Sequence, residues 1–359
     1  MDARTALGLR LTSLLLRGGG PATVEGIASW FGAMQAQDVN SVLWSLGARL
    51  PGWSLAEVNA ALEDRSVLRT WPMRGTVHLV PARDAHWMLD VMGSRSLTGV
   101  AKRWEYLGLD RPTVEKAAEL LGAALAGDRR LTRAECLAAL TDGGIDVAGQ
   151  RSYHLLWYAA QIGVTAIAPH VGKEQTFVLL DSWVPDPFRP SRAEALGLIA
   201  LRFFQSHGPA TRKDFAGWTG LPMSDVKIGL GEAGKALLTV DVDGVEMIVA
   251  AEALENPADQ SWLALPGFDE YMLGYKDRSL MASPADLAAI IPGNNGVFQS
   301  TLVRGGRVVA TWKRVIGPKG VTVTVRPLID FTATDHRRAA KALEPFAAFL
   351  ELPLTVKNP

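Results

Sequence analysis

Apolar positions recur three and four residues apart over residues 5–16, 23–31, 38–49 and 55–65, with polar or glycine-rich breaks between them, which predicts four amphipathic helices. Arg17-Gly18-Gly19-Gly20-Pro21 stops the first helix, and Thr23 is placed to cap the second. Asp38 can accept the orphan amides at the start of the third, and Ser54-Leu55-Ala56-Glu57 has the spacing of a capping box. Two β-rich runs follow, 67–71 and 75–80, around Pro72-Met73-Arg74. Helices followed by a hairpin is the plan of a winged helix-turn-helix.

That plan recurs along the chain. Helical patterns at 113–126, 132–142 and 149–161 lead into strand patterns at 164–168 and 176–184. A third trio at 191–206, 211–218 and 223–233 leads into 237–242 and 245–250, with Asp243-Gly244 as the hairpin turn. The recurrence is one of pattern, not of residue identity, and it favours a repeat architecture over a single large fold. Beyond 254 the texture changes to glycine- and proline-punctuated strands at 262–265, 271–273, 297–303, 307–312 and 321–327, then a helix at 334–350 and a strand at 352–356. The predicted fold class is α+β and mostly helical. It comprises three tandem winged helix-turn-helix units, at 1–110, 111–190 and 191–254, and a β-rich C-terminal domain at 255–359, a partial barrel closed by a helix.

Composition narrows the class. With 48% hydrophobic and 21% charged residues, the 359-residue chain has ordinary globular usage. Its single Cys136 excludes an intrachain disulfide and any cysteine-based zinc cage, which fits a reducing cytoplasm. No window approaches a membrane span, and the N-terminal helix is interrupted by Arg4, Arg10 and Arg17, unlike a signal peptide. Lysine plus arginine equal aspartate plus glutamate at 37 each, so any attraction to nucleic acid is local. Two stretches supply it. No acidic residue lies between Asp64 and Asp84, where Arg65, Arg69, Arg74, Arg83 and His78 occur, or between Asp286 and Asp330, where Arg304, Arg307, Lys313, Arg314, Lys319 and Arg326 occur. The turn Arg304-Gly305-Gly306-Arg307 suits close approach to a phosphate; a charge-protected edge strand is the alternative. With repeated helix-turn-helix units, the basic stretches favour DNA.

The candidate chemistry centres on Met34-Gln35-Ala36-Gln37-Asp38. Residues two apart point the same way only on an extended segment, so Gln35 and Gln37 converge only if this stretch is extended. Two neutral amides can hold a water or turn a carbonyl dipole toward a cation, but they are poor general bases. A polar loop between helices is the competing reading. Asp269, Glu270, Lys276, Asp277 and Arg278 form a dense charged cluster in which a structural ion-pair network is favoured over catalytic carboxylates. The six histidines show no metal-ligand spacing, so neither a metal nor a cofactor is expected. Of the eleven tryptophans, Trp30, Trp44, Trp87 and Trp157 fall on apolar helical faces and read as core.

Met34-Gln35-Ala36-Gln37, the run from Arg69 through Trp71-Pro72-Met73-Arg74-Gly75 to His78 and Val80, and Gly267-Phe268-Asp269-Glu270-Tyr271 through Lys276-Asp277-Arg278, in that order, resemble the AlkZ/YcaQ family of bacterial winged-helix DNA glycosylases. The likeness extends to the basic hairpin from Gly305 to Arg314. The resemblance implies a monomeric C-shape with a basic concave channel, acting on double-stranded DNA that carries N7-alkylated guanine, crosslinks included, in DNA repair or antibiotic self-resistance. It also implies that Gln35 and Gln37 are catalytic, in the Gln-Φ-Gln pattern of the AlkZ branch, with alanine as an unusually small Φ. Arg69, Arg74, His78, Lys276, Arg278, Arg304, Arg307, Lys313 and Arg314 are the expected DNA contacts. The competing class is a non-catalytic winged-helix regulator or lesion shield.

Overall fold

Asp38 behaves as its position predicts: its carboxylate accepts the Ser41 amide at 2.9 Å and starts a helix. In the computed structural model, which describes residues 1–253 and 260–357, the chain divides into two compact units, one formed by Met1–Ala61 with Leu196–Pro359 and the other by Leu62–Ala195. The boundary expected after residue 254 lies outside the described residues. Both units combine helices and sheet, so the α+β class holds. Among the described residues no helix is long and apolar enough to cross a membrane.

The first unit opens with helices α1 (Ala3–Ser13) and α2 (Val24–Phe31), a two-residue strand β1 (Met34–Gln35), α3 (Val39–Gly47) and α4 (Leu55–Leu62). Thr23 caps α2 through the Gly26 amide, and Ser54 and Glu57 exchange the bonds of the capping box that starts α4.

The second unit follows. Its hairpin β2 (Val67–Met73) and β3 (Thr76–Pro81) turns at Arg74-Gly75, both with positive φ, and not at Pro72-Met73-Arg74 as the composition suggested. Pro72 instead lies inside β2, where the missing amide coincides with a register shift between Thr70 and Met73. Helices α5 (Ala85–Val91), α6 (Ala101–Leu107) and α7 (Arg111–Leu125), strand β4 (Arg130–Thr132), helices α8 (Arg133–Asp142) and α9 (Arg151–Gln161), strands β5 (Thr165–Val171) and β6 (Glu174–Leu179) and the short α10 (Leu180–Trp183) complete it. Within this unit the strand order is β3-β2-β5-β6-β4. Cys136 is buried in α8, where desolvation pushes its thiol up to about 12 and makes it inert.

Helix α11 (Arg192–His207) returns the chain to the first unit, followed by α12 (Arg212–Thr219), α13 (Met223–Ala233) and the hairpin β7 (Leu237–Val242) and β8 (Val245–Ala250). This hairpin closes at Asp243-Gly244 as expected, both residues being left-handed. Then come β9 (Trp262–Leu265), α14 (Glu270–Leu273), α15 (Pro284–Ile290), β10 (Ser300–Arg304), β11 (Arg307–Gly317), β12 (Gly320–Pro327), α16 (Ala333–Phe349) and β13 (Leu354–Lys357). The sheet is open, in order β13-β12-β11-β10-β9, with β12 and β13 parallel. Residues 271–273, expected as a strand, form the single turn α14, because Asp269 caps it by accepting the Tyr271 amide at 2.9 Å.

The sheet packs on the N-terminal helices through aromatic groups. Trp44 of α3 lies 5.2 Å from both Phe346 and Phe349 of α16, and its indole N–H donates to the Ala264 carbonyl at 2.9 Å. Trp312 of β11 packs against Phe346 in a tilted arrangement and donates to the carbonyls of Leu265 and Thr301, both at 3.1 Å. Both indoles therefore bury a large apolar area with the polar atom satisfied. Replacing Trp44 by alanine is expected to cost about 3–5 kcal/mol. Urea unfolding followed by circular dichroism checks this, and a loss below about 1 kcal/mol would contradict the packing role.

Candidate active site

Met34-Gln35-Ala36-Gln37 is extended at its start, and its burial alternates: Met34 and Ala36 are each 1% exposed, Gln35 is half-buried and Gln37 exposed. The apolar side chains Met34 and Ala36 turn into the core, while Gln35 and Gln37 are less enclosed, Gln37 lying in the bend that follows β1. The small Ala36 sits on the packed side, where its size leaves the amides unaffected. Gln35 Oε1 is itself buried and accepts no hydrogen bond from the protein, whereas Gln35 N–H donates to Glu270 Oε1 at 3.0 Å.

Glu270 lies in the core at 1% exposure. Its Oε2 accepts the Trp218 indole N–H at 2.9 Å and lies 3.3 Å from His207 Nε2. Burial alone would raise its pKa, but the bonds and charge of His207, with those from Gln35 and Trp218, outweigh it and hold the carboxyl at about 2. His207 is enclosed by aromatic rings: Phe203 stacks on it at 4.6 Å, with Phe31, Trp218 and Tyr275 at 5.7, 5.5 and 6.0 Å. Gly274 has no room for a side chain, since a Cβ there would fall 2.1 Å from His207 Cδ2.

The neighbouring Asp269 turns the other way. It forms a bidentate pair with Arg49, in the turn just past α3, at 2.8 and 3.0 Å and accepts the hydroxyl of Ser45 in α3 at 2.6 Å. Both partners are buried, so the cluster at 269–270 is a structural network, the reading favoured from sequence.

The expected DNA contacts separate into several environments. In the second unit Arg69 and His78 are 8% and 0% exposed, which corrects their assignment as phosphate contacts: Arg69 donates to the Ala168 carbonyl, and burial pushes it down to about 10. With its Nδ1 against the Thr76 carbonyl at 2.9 Å, His78 presents Nε2 to the exposed Arg74, 3.3 Å away, and so braces that guanidinium. In the first unit the Arg304-Gly305-Gly306-Arg307 turn is docked inward, which corrects the phosphate-cradle reading. Gly306 lies against Leu7, where a Cβ would come within 2.7 Å, and its carbonyl accepts the Tyr271 hydroxyl. Arg304 is paired with Asp335 and lies over Trp262, leaving Arg307 exposed. Lys276 is exposed, and Arg278 lies over Phe298 while donating to the Met272 carbonyl.

Lys313 and Arg314 border an open cleft of about 390 Å³ together with Asp38, Phe268 and Phe298. This cleft begins at the residue after Gln37. Burial lowers the Arg314 pKa, with Asp38 opposing the shift. Beyond Arg314 the β11–β12 hairpin is longer than the sequence suggested and carries Val315 and Ile316 at 72% and 50% exposure, next to Lys319. The missed signal was two aliphatic residues set in an otherwise basic, turn-ended run.

Taken together, the chain is an α+β protein with a half-buried glutamine on a two-residue strand and an exposed one just after it, the strand's backbone being held by a buried carboxylate. A family model described as DNA glycosylase AlkZ-like matches residues 28–349, and the chain belongs to that family. It is 27% identical over 348 residues to the interstrand DNA cross-link repair glycosylase of Streptomyces sahachiroi, with 87% of this chain and 89% of that protein covered. The solved structure of Streptomyces sahachiroi DNA glycosylase AlkZ matches its fold with a TM-score of 0.80 at 23% identity, covering 99% of this chain and all of that one.

Because the Glu270 pKa is depressed, its stabilising contribution is fully present above the unfolded value near 4.5 and is lost as pH falls through about 2. A difference of that size corresponds to on the order of 3 kcal/mol. Stability measured by denaturant unfolding should therefore decline from pH 5 toward pH 2 more steeply in the wild type than in Glu270→Gln, and parallel profiles would contradict the assignment.

Proposed function

We propose that the protein is a monofunctional DNA glycosylase that hydrolyses the N-glycosidic bond of N7-alkylated guanine in double-stranded DNA, bulky and crosslinking adducts included. The observation that carries this reading is the placing of Gln35 and Gln37 on and just after a two-residue strand, with the Gln35 amide oxygen lacking a protein partner and Gln37 exposed. Alkylation at N7 puts positive charge on the base, so the leaving group needs little protonation. The remaining work is to place a water and to stabilise an oxocarbenium-like sugar, which neutral amides can do through their carbonyl dipoles. The Gln-x-Gln segment carries no lysine to form a Schiff base, so excision leaves an abasic site without strand cleavage.

A base that is crosslinked or carries a large adduct does not rotate easily into a deep pocket. Excision from a groove without base flipping fits such a substrate. Arg74, Lys276, Arg278, Arg307, Lys313 and Arg314 are the proposed phosphate contacts, and the exposed Val315 and Ile316 suit the apolar floor of a groove. We infer a monomer built on tandem winged-helix units that meets DNA through these basic residues.

The test is incubation with duplex DNA containing 7-methylguanine, and separately with crosslinked duplex, followed by detection of the released base. Gln35→Ala and Gln37→Ala should each lower single-turnover excision about a hundredfold with DNA affinity nearly intact. Gln37→Glu should keep some excision but bind DNA less well, because it adds negative charge near phosphates. Binding without base release by the wild type would favour a DNA-binding protein with no enzymatic role.

A further inference from the structure

We propose that Glu270 is the positioning residue for Gln35: its buried carboxylate, fixed by Trp218 and His207, holds the Gln35 backbone and thereby sets the direction of the two amides. The proposal rests on the reading of Gln35 as a catalytic group. Glu270 itself does not touch substrate, since it is 1% exposed and both its oxygens are engaged within the protein.

The hydrogen-bond inventory explains why a carboxylate occupies this position. Ser206 Oγ has one proton, which goes to the Arg202 carbonyl at 2.6 Å, so at 2.8 Å it accepts from His207 Nδ1–H. His207 Nδ1 also faces the Phe203 carbonyl at 3.2 Å, another acceptor. Nδ1 thus carries a proton, and Nε2 is turned toward Glu270 Oε2 at 3.3 Å, within aromatic rings centred 4.6 to 6.0 Å away. Three donors then converge on Glu270, from Gln35 N–H, Trp218 Nε1–H and His207 Nε2–H. An ionised carboxylate accepts all three. A glutamine would set its NH₂ against at least one of them.

The partners of Glu270 come from elements that do not depend on β1. His207 ends α11 and is pinned by Gly274, while Trp218 lies in α12 and packs on Phe203. Asp269 ties the start of α14 to Ser45 of α3, the helix that follows Gln37, and to Arg49 in the turn just past it. The short extended segment is therefore held from below at Gln35 and from its C-terminal side through α3. Its inward side chains, Met34 and Ala36, contribute packing but no hydrogen bond to fix the amide direction.

The test compares Glu270→Gln, Trp218→Phe and Gln35→Ala with the wild type. Three readouts are used: single-turnover release of 7-methylguanine, duplex affinity, and hydrogen exchange over peptides spanning residues 33–38. Glu270→Gln is expected to lower excision at least tenfold, leave affinity within about twofold, and speed exchange over 33–38. Trp218→Phe removes one donor while keeping an aromatic ring, so it should show the same pattern at about threefold and serves if Glu270→Gln does not fold. Wild-type excision and exchange in the folded variants would overturn the inference while leaving the Gln35 reading intact. Full excision by Gln35→Ala would instead remove that reading, and the exchange result would still decide whether Glu270 holds the segment.

Discussion

A buried carboxylate is stable only where its lost hydration is replaced, and Glu270 achieves this with donors drawn from three separate stretches of chain. One of those donors is the backbone of the segment that carries the two accessible amides. The adjacent Asp269 meets the same requirement through Arg49 and Ser45. Two consecutive acidic residues on one turn of helix thus join α3, β1, α11 and α12, and removing either partner of such a pair leaves an uncompensated charge in the core. A run that looks solvated by composition is interior joinery.

This arrangement divides the work between parts of the site. The charged groups lie below, where they are engaged with one another and set geometry. In the proposed reaction the neutral amides would face a cationic leaving base and a developing sugar cation without presenting a carboxylate to the DNA backbone. The cleft that starts at Asp38, next to Gln37, is lined by Lys313 and Arg314 together with Phe268 and Phe298, so charged and apolar surface border the same segment.

Where local chemistry decides the structure, the sequence was readable. The caps at Thr23, Asp38 and Ser54, the Asp243-Gly244 turn and the two strands around it stand where their residue types place them. The extended start of the motif at Met34–Gln35 follows the same local logic, whereas Gln37 already lies in the bend that leads into α3. Long-range partners decided the rest. Residues 271–273 have strand-like composition, yet the Asp269 cap turns them into helix. Arg304-Gly305-Gly306-Arg307 has the residues of a phosphate-binding turn, yet Leu7 and Tyr271 draw it inward. Arg69 and His78 carry the right chemistry for DNA but lie in the core, which charge counting along a chain cannot reveal.

The central claim is that Glu270 acts on chemistry through Gln35, and a double-mutant cycle on the single-turnover excision rate tests it most directly. If the carboxylate works by placing Gln35, then Glu270→Gln should lower the wild-type rate but cause little further loss in a Gln35→Ala background. Losses that multiply in the double variant would show that the two residues act independently and would contradict the account.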